Sequence, residues 1–75
     1  MGRVLKTSVH SLMKENTDKS IYDISVVLVA DYVEKIVIEL TKSSSRISDL
    51  NKRKGIMPSD IVVAIEQLEQ RRGKI

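Results

Sequence analysis

The chain has 75 residues, 13 Lys and Arg against 10 Asp and Glu, a formal net charge of +3, and no Phe, Trp or Cys. That length holds at most one domain. With so little aromatic core material and no disulfide or thiolate metal ligand as a staple, it favours a chain that completes its core by pairing with another. The basic excess is uneven: residues 1–23 carry four basic and three acidic side chains, 24–51 three and four, and 52–75 six and three. Such clusters suit phosphate contact, although a charged face is also what any solvated surface carries. No apolar run follows Arg3 and Lys6 before His10, unlike a secretory leader. The most apolar stretch, Val26 to Leu40, is broken by Asp31, Glu34, Lys35 and Glu39, which argues against a membrane span. A soluble intracellular protein is the expectation.

In chain order, Leu5, Val9, Leu12 and Met13 fall at helical spacing, which predicts a short helix near 7–16 with Thr7 or Ser8 as its cap and Asn16-Thr17-Asp18 as its stop. Lys19-Ser20-Ile21-Tyr22 then reads as a connector, with Ser20 and Asp23 as a weak capping box. From Asp23 to about Asn51 there is no Pro or Gly. Val26, Val29, Ala30, Val33, Ile36, Val37, Leu40, Ile47 and Leu50 mark one stripe. Strand propensity is high here, but alternation fails at Val26-Val27-Leu28-Val29 and at Ile36-Val37-Ile38, and helical spacing explains more positions. A single helix of roughly 28 residues, on the order of 42 Å, is predicted. It is too long for so small a chain to wrap alone. Val27, Leu28 and Ile38 widen its apolar face and point to burial by a partner. Ser43-Ser44-Ser45 interrupts the stripe with poor helix formers. A patch where another helix approaches closely explains it better than a hinge or modification site, because apolar spacing resumes at Ile47. Pro58 suits the first position of a last helix near 58–71, amphipathic through Ile61, Ala64, Ile65 and Leu68. Arg71, Arg72 and Lys74 suit its negative end, and Gly73 marks its stop.

The most informative segment is Lys52-Arg53-Lys54-Gly55-Ile56-Met57-Pro58-Ser59-Asp60-Ile61. Arg53 and Asp60 lie seven apart across a turn and are able to fold back on each other. Read as Arg-Lys-x-Ile-x-x-x-Asp-Ile, this segment resembles the second loop and last helix of a histone fold. The short–long–short helix plan extends that resemblance from about Val4 to Leu68. The Arg-Lys-x-Ile frame is similar to the small archaeal histones, and Ile-Met-Pro-x-Asp-Ile is similar to a eukaryotic core histone.

The resemblance implies an all-α histone fold, one domain over 1–75, assembled as a handshake dimer. Its long helices would cross near Ile36, with Val29, Val33, Ile36, Val37 and Leu40 as dimer core. The first loop of one chain would lie beside the second loop of the other, Ile21 pairing with Ile56. Lys19, Ser20, Lys54 and Gly55 would then face DNA phosphates at each end, with Lys14 at a position basic in archaeal members. Helix N-termini would add a central site. Arg53 and Asp60 would form a structural salt bridge. Ile47 and Leu50 would stand where dimers of the family join.

Departures from the pattern are specific. Ser11 and Ser20 stand where archaeal members carry arginines that grip phosphate and enter the minor groove. Gly55 replaces a phosphate-bonding Thr, Met57 a Lys, and Leu50 a His that meets an Asp across the dimer–dimer junction. These changes imply weaker or differently arranged DNA binding. Other chemistry finds no support in the sequence. His10 has no second His or Cys for a metal. Gly-rich phosphate loops and Gly-x-Ser-x-Gly motifs are absent, as is an aromatic platform beyond Tyr22 and Tyr32. No cofactor and no enzyme activity are expected.

The resulting expectation is a histone-like homodimer that compacts or coats duplex DNA with little sequence preference, in a cytoplasmic nucleoid or, in a eukaryote, nuclear chromatin. A tetramer or a heterodimer is a further assembly that the resemblance allows. The alternative is a histone-fold subunit that pairs with another histone-fold chain in a transcription or centromere-type complex. A helix-turn-helix regulator reading bases with 58–71 is disfavoured, since Ile61 to Ile65 offer few polar side chains for a groove.

Overall fold

A computed structural model describes residues 4–72. Three helices follow in order, α1 (Lys6–Glu15), α2 (Asp23–Leu50) and α3 (Pro58–Arg72), and the described residues contain no strand. The chain is therefore all-α in a short, long, short order. Gly73 and Lys74, expected as stop and terminal cation, lie outside the described residues.

Two helix starts differ from the sequence reading. Leu5, with extended backbone and no side-chain cap, precedes α1, and the Val9 amide bonds back to its carbonyl at 3.2 Å. Thr7 and Ser8 are thus inside the helix and cap nothing. An exposed helix start leaves its first amides to water, so no side chain is required. Similarly, the Ser25 and Val26 amides return to the Tyr22 carbonyl at 2.9 and 3.3 Å. Tyr22, not Ser20, stands at the cap of α2, and Asp23 occupies the first turn, where its charge meets the positive end of the helix. The stop at Asn16 is local. Its amide bonds to the Met13 carbonyl at 3.0 Å, and its side-chain NH2 donates to the Leu12 carbonyl at 2.7 Å.

The chain divides into two compact units, Met1–Ile36 and Val37–Ile75, with the boundary inside the unbroken α2. In the first, only Val26 and Ala30 are buried apolar residues among those described. In the second, α2 buries Ser43, Ser44 and Ser48, and α3 buries Asp60 and Ala64. Small side chains at these positions let two helix backbones approach closely. Of the serine run, Ser43 and Ser44 are buried and Ser45 is exposed, and α2 continues through it without a break, as packing rather than a hinge requires. The hydroxyl of Ser44 is fully buried without a hydrogen-bond partner.

The connection between α2 and α3 is built from its backbone outward. The Arg53 amide bonds to the Ser48 carbonyl and the Lys52 amide to the Asp49 carbonyl, both at 3.0 Å. This pair of bonds, with Lys52 left-handed at φ 57°, is a Schellman ending in which lysine takes the place usual for glycine. The buried Ser48 hydroxyl lies 2.7 Å from the Gly55 carbonyl and 3.1 Å from that of Arg53. Having one proton, it donates chiefly to Gly55. Arg53 then turns onto the Asp60 carboxylate, pairing through Oδ1. The second oxygen, Oδ2, accepts the Met57 amide at 2.9 Å. Since Met57 caps α3 and Pro58 begins it, Asp60 supplies the reach-back half of a capping box. Its side chain is 1% exposed against 38% for Arg53.

This loop generates two stability predictions. Lys52→Gly removes the left-handed strain of a side chain and should raise stability by about 0.5–1 kcal/mol, read as a higher urea midpoint. An unchanged midpoint would show that Lys52 is unstrained. Asp60→Ala strips Arg53 and the Met57 amide of their acceptor and should cost about 1–3 kcal/mol. Asp60→Asn retains an acceptor and should cost less. Equal losses for the two variants would assign the effect to packing rather than to the carboxylate.

Candidate nucleic-acid interface

The second loop presents cations in a fixed frame. With Arg53 drawn back to Asp60, Lys52 and Lys54 stay exposed, and their ammonium groups make no hydrogen bond or ion pair among the described residues. An unpaired ammonium on a flexible stem is a point charge suited to phosphate rather than to a shaped ligand. Gly55, next to Lys54, is held by its carbonyl to Ser48, and a Cβ added at Gly55 meets nothing within 4 Å. Its backbone is therefore unobstructed on the side where a side chain would stand. Met57 is exposed beside it.

The remaining cationic candidates belong to the first unit. Lys14 is exposed in the last turn of α1. Lys19 and Ser20 are exposed in the following loop, where the Lys19 amide donates to Thr17 Oγ1 at 3.2 Å. Ser11 is exposed as well. His10, half-buried, lines a groove of about 430 Å³ with Lys6, Thr7, Asp23, Val26 and Val27. Among the described residues no three His, Asp or Glu side chains cluster as metal ligands. No described helix is long and apolar enough to cross a membrane.

The apolar candidates are largely uncovered. Val29, Val33 and Val37 are exposed, and Ile36 and Leu40 are half-buried. Ile47 is half-buried, whereas Leu50 is 83% exposed. Sequence reasoning singled out these positions but missed Ser48, whose hydroxyl anchors the second loop. A serine near a helix end reads as a neutral surface residue until the loop folds over it, so no local signal marks its role.

Residues 1–67 match the histone family model, described as the core histone domain. No curated protein and no solved structure matches the chain. The matched stretch takes in α1, α2 and the loop with the Arg53–Asp60 pair, and continues well into α3. This chain belongs to the histone family.

Proposed function

We propose that the chain forms a handshake homodimer that coats or compacts double-stranded DNA with little sequence preference, as a nucleoid or chromatin protein of archaeal-histone type. The observation that carries this reading is the second loop, where a buried carboxylate and a buried serine hold Lys54 and Gly55 in one exposed arrangement. Phosphate contacts of this kind position a duplex without reading its bases. Dimerisation is supported by the stripe of α2, where Val29, Val33 and Val37 are exposed and Ile36 and Leu40 half-buried; these form the dimer core in this reading, with the helices crossing near Ile36. In the handshake, Lys19 and Ser20 of one chain join Lys54 and Gly55 of the other at each end, and Lys14 extends the cationic face. Ile47 and the exposed Leu50 are the candidate contact between dimers.

A second reading is favoured by the residues at the expected phosphate positions. Ser11, Ser20, Gly55 and Met57 each offer less to a phosphate than the arginine, threonine or lysine of an archaeal histone. A chain so depleted also suits pairing with a different histone-fold chain in a transcription or centromere-type complex.

Two measurements separate these readings. For an obligate dimer without a stable folded monomer, the thermal midpoint rises with protein concentration. A constant midpoint with a monomer mass by sedimentation removes the handshake. For the DNA reading, affinity falls steeply with salt and varies little with sequence. Lys54→Ala weakens binding to all duplexes alike and lowers the salt slope by roughly one for each phosphate no longer gripped, while Ser20→Arg tightens it. A homodimer without salt-sensitive duplex binding would leave the partner-chain reading in its place.

A further inference from the structure

The second unit carries a groove of about 450 Å³ that the DNA reading leaves unused. It falls in the size range of ligand sites, about 300–1,000 Å³. One wall is the α2 stripe Glu39, Lys42, Ser43 and Arg46; the other is Gln67, Gln70 and Arg71 of α3. No apolar side chain among the described residues lines it, so it lacks the greasy seam that a second chain would cover by packing. Three cations face a single carboxylate. Glu39 pairs with Arg71, and Arg46 donates one N–H to Ser43 Oγ at 3.2 Å. A guanidinium has five N–H donors, so both arginines retain free donors. Lys42 makes no hydrogen bond or ion pair among the described residues. The groove is thus a net acceptor of negative charge.

Two features choose among anions. Gln67 and Gln70 each bring a donor and an acceptor. A phosphate offers acceptors alone and would leave their carbonyls idle, whereas a peptide backbone engages both. In addition, Arg71 lies 13 residues beyond Pro58 on α3, roughly 20 Å along the helix. The α3 wall of the groove therefore lies toward the opposite end of that helix from Lys54 and Gly55. We infer that this groove binds an acidic peptide segment of a protein partner, with its carboxylates on Lys42, Arg46 and Arg71 and its backbone on Gln67 and Gln70.

The test is fluorescence anisotropy of a labelled peptide of alternating Glu and Gly on the full chain, beside a labelled DNA duplex. The double variant Lys42→Gln with Arg46→Gln should weaken peptide binding roughly tenfold or more, the loss expected for charge-assisted bonds, and leave duplex affinity nearly unchanged. Lys54→Ala should do the reverse. Glu39→Gln releases Arg71 and should tighten peptide binding, a gain that misfolding does not produce. On peptide addition the side-chain NH2 resonances of Gln67 and Gln70 should shift. Unchanged peptide affinity in the double variant, no tightening by Glu39→Gln, or unmoved glutamine resonances would each overturn the proposal. A parallel loss of duplex binding in the double variant would overturn it too, and would assign the groove to DNA phosphate.

Discussion

One buried carboxylate organises the second half of this chain. Asp60 holds the Arg53 guanidinium with one oxygen and the Met57 amide with the other, at 1% exposure. If Arg53 is removed this carboxylate has no water to turn to, whereas the Arg53 side chain, 38% exposed, is hydrated if Asp60 is removed. That asymmetry makes the pair matter more for what its loss leaves behind than for the attraction itself. The second ion pair of this unit, Arg71 with Glu39, offers the contrast. Its side chains are 62% and 41% exposed, so solvent competes on both sides and its contribution is expected near the low end of surface pairs, about 0–1 kcal/mol. Asp60 fixes structure, whereas Glu39 chiefly balances charge.

Legibility in the sequence followed the range of the interaction. Arg53, Pro58 and Asp60 fall within one turn and one helix start, so spacing alone brought them together. The long α2 was legible because its apolar residues recur at helical spacing over 28 positions. The caps of α1 and α2 were misread because Thr7, Ser8 and Ser20 have the right chemistry one to three residues from where the backbone begins to turn. The ending of α2 was hidden for the opposite reason: its left-handed residue is Lys52, and no glycine marks it. Groove walls 21 or more residues apart, as Arg46 and Gln67 are, leave no local pattern at all.

Uncovered apolar surface is the physical basis of the proposed pairing. Among the described residues only Val26, Ala30 and Ala64 are buried apolar side chains. Fully burying a branched side chain contributes about 1.5–3 kcal/mol, while ordering each residue's backbone costs about 1–2 kcal/mol. Beyond these three, apolar residues such as Ile36, Leu40, Ile47 and Leu68 are only half-buried, so much of the available burial is unrealised in the single chain. The exposed Leu28, Val29, Val33, Val37 and Ile38 supply the missing term only when something covers them. The proposed pairing with a second histone-fold chain would cover them.

The second unit also separates its charges along α3. Lys54 precedes the helix and Arg71 lies in its last turn, so these two cations stand roughly 20 Å apart along α3. At physiological ionic strength the Debye length is about 8 Å, and charges separated by more than twice that distance scarcely feel each other. An anion held at Arg71 therefore leaves the field at Lys54 nearly intact. The intervening turns of α3, with Val62, Val63 and Ile65 exposed, remain available for apolar contact. Short as it is, α3 is long enough to keep Lys54 before its start, an apolar middle and Arg71 in its last turn apart.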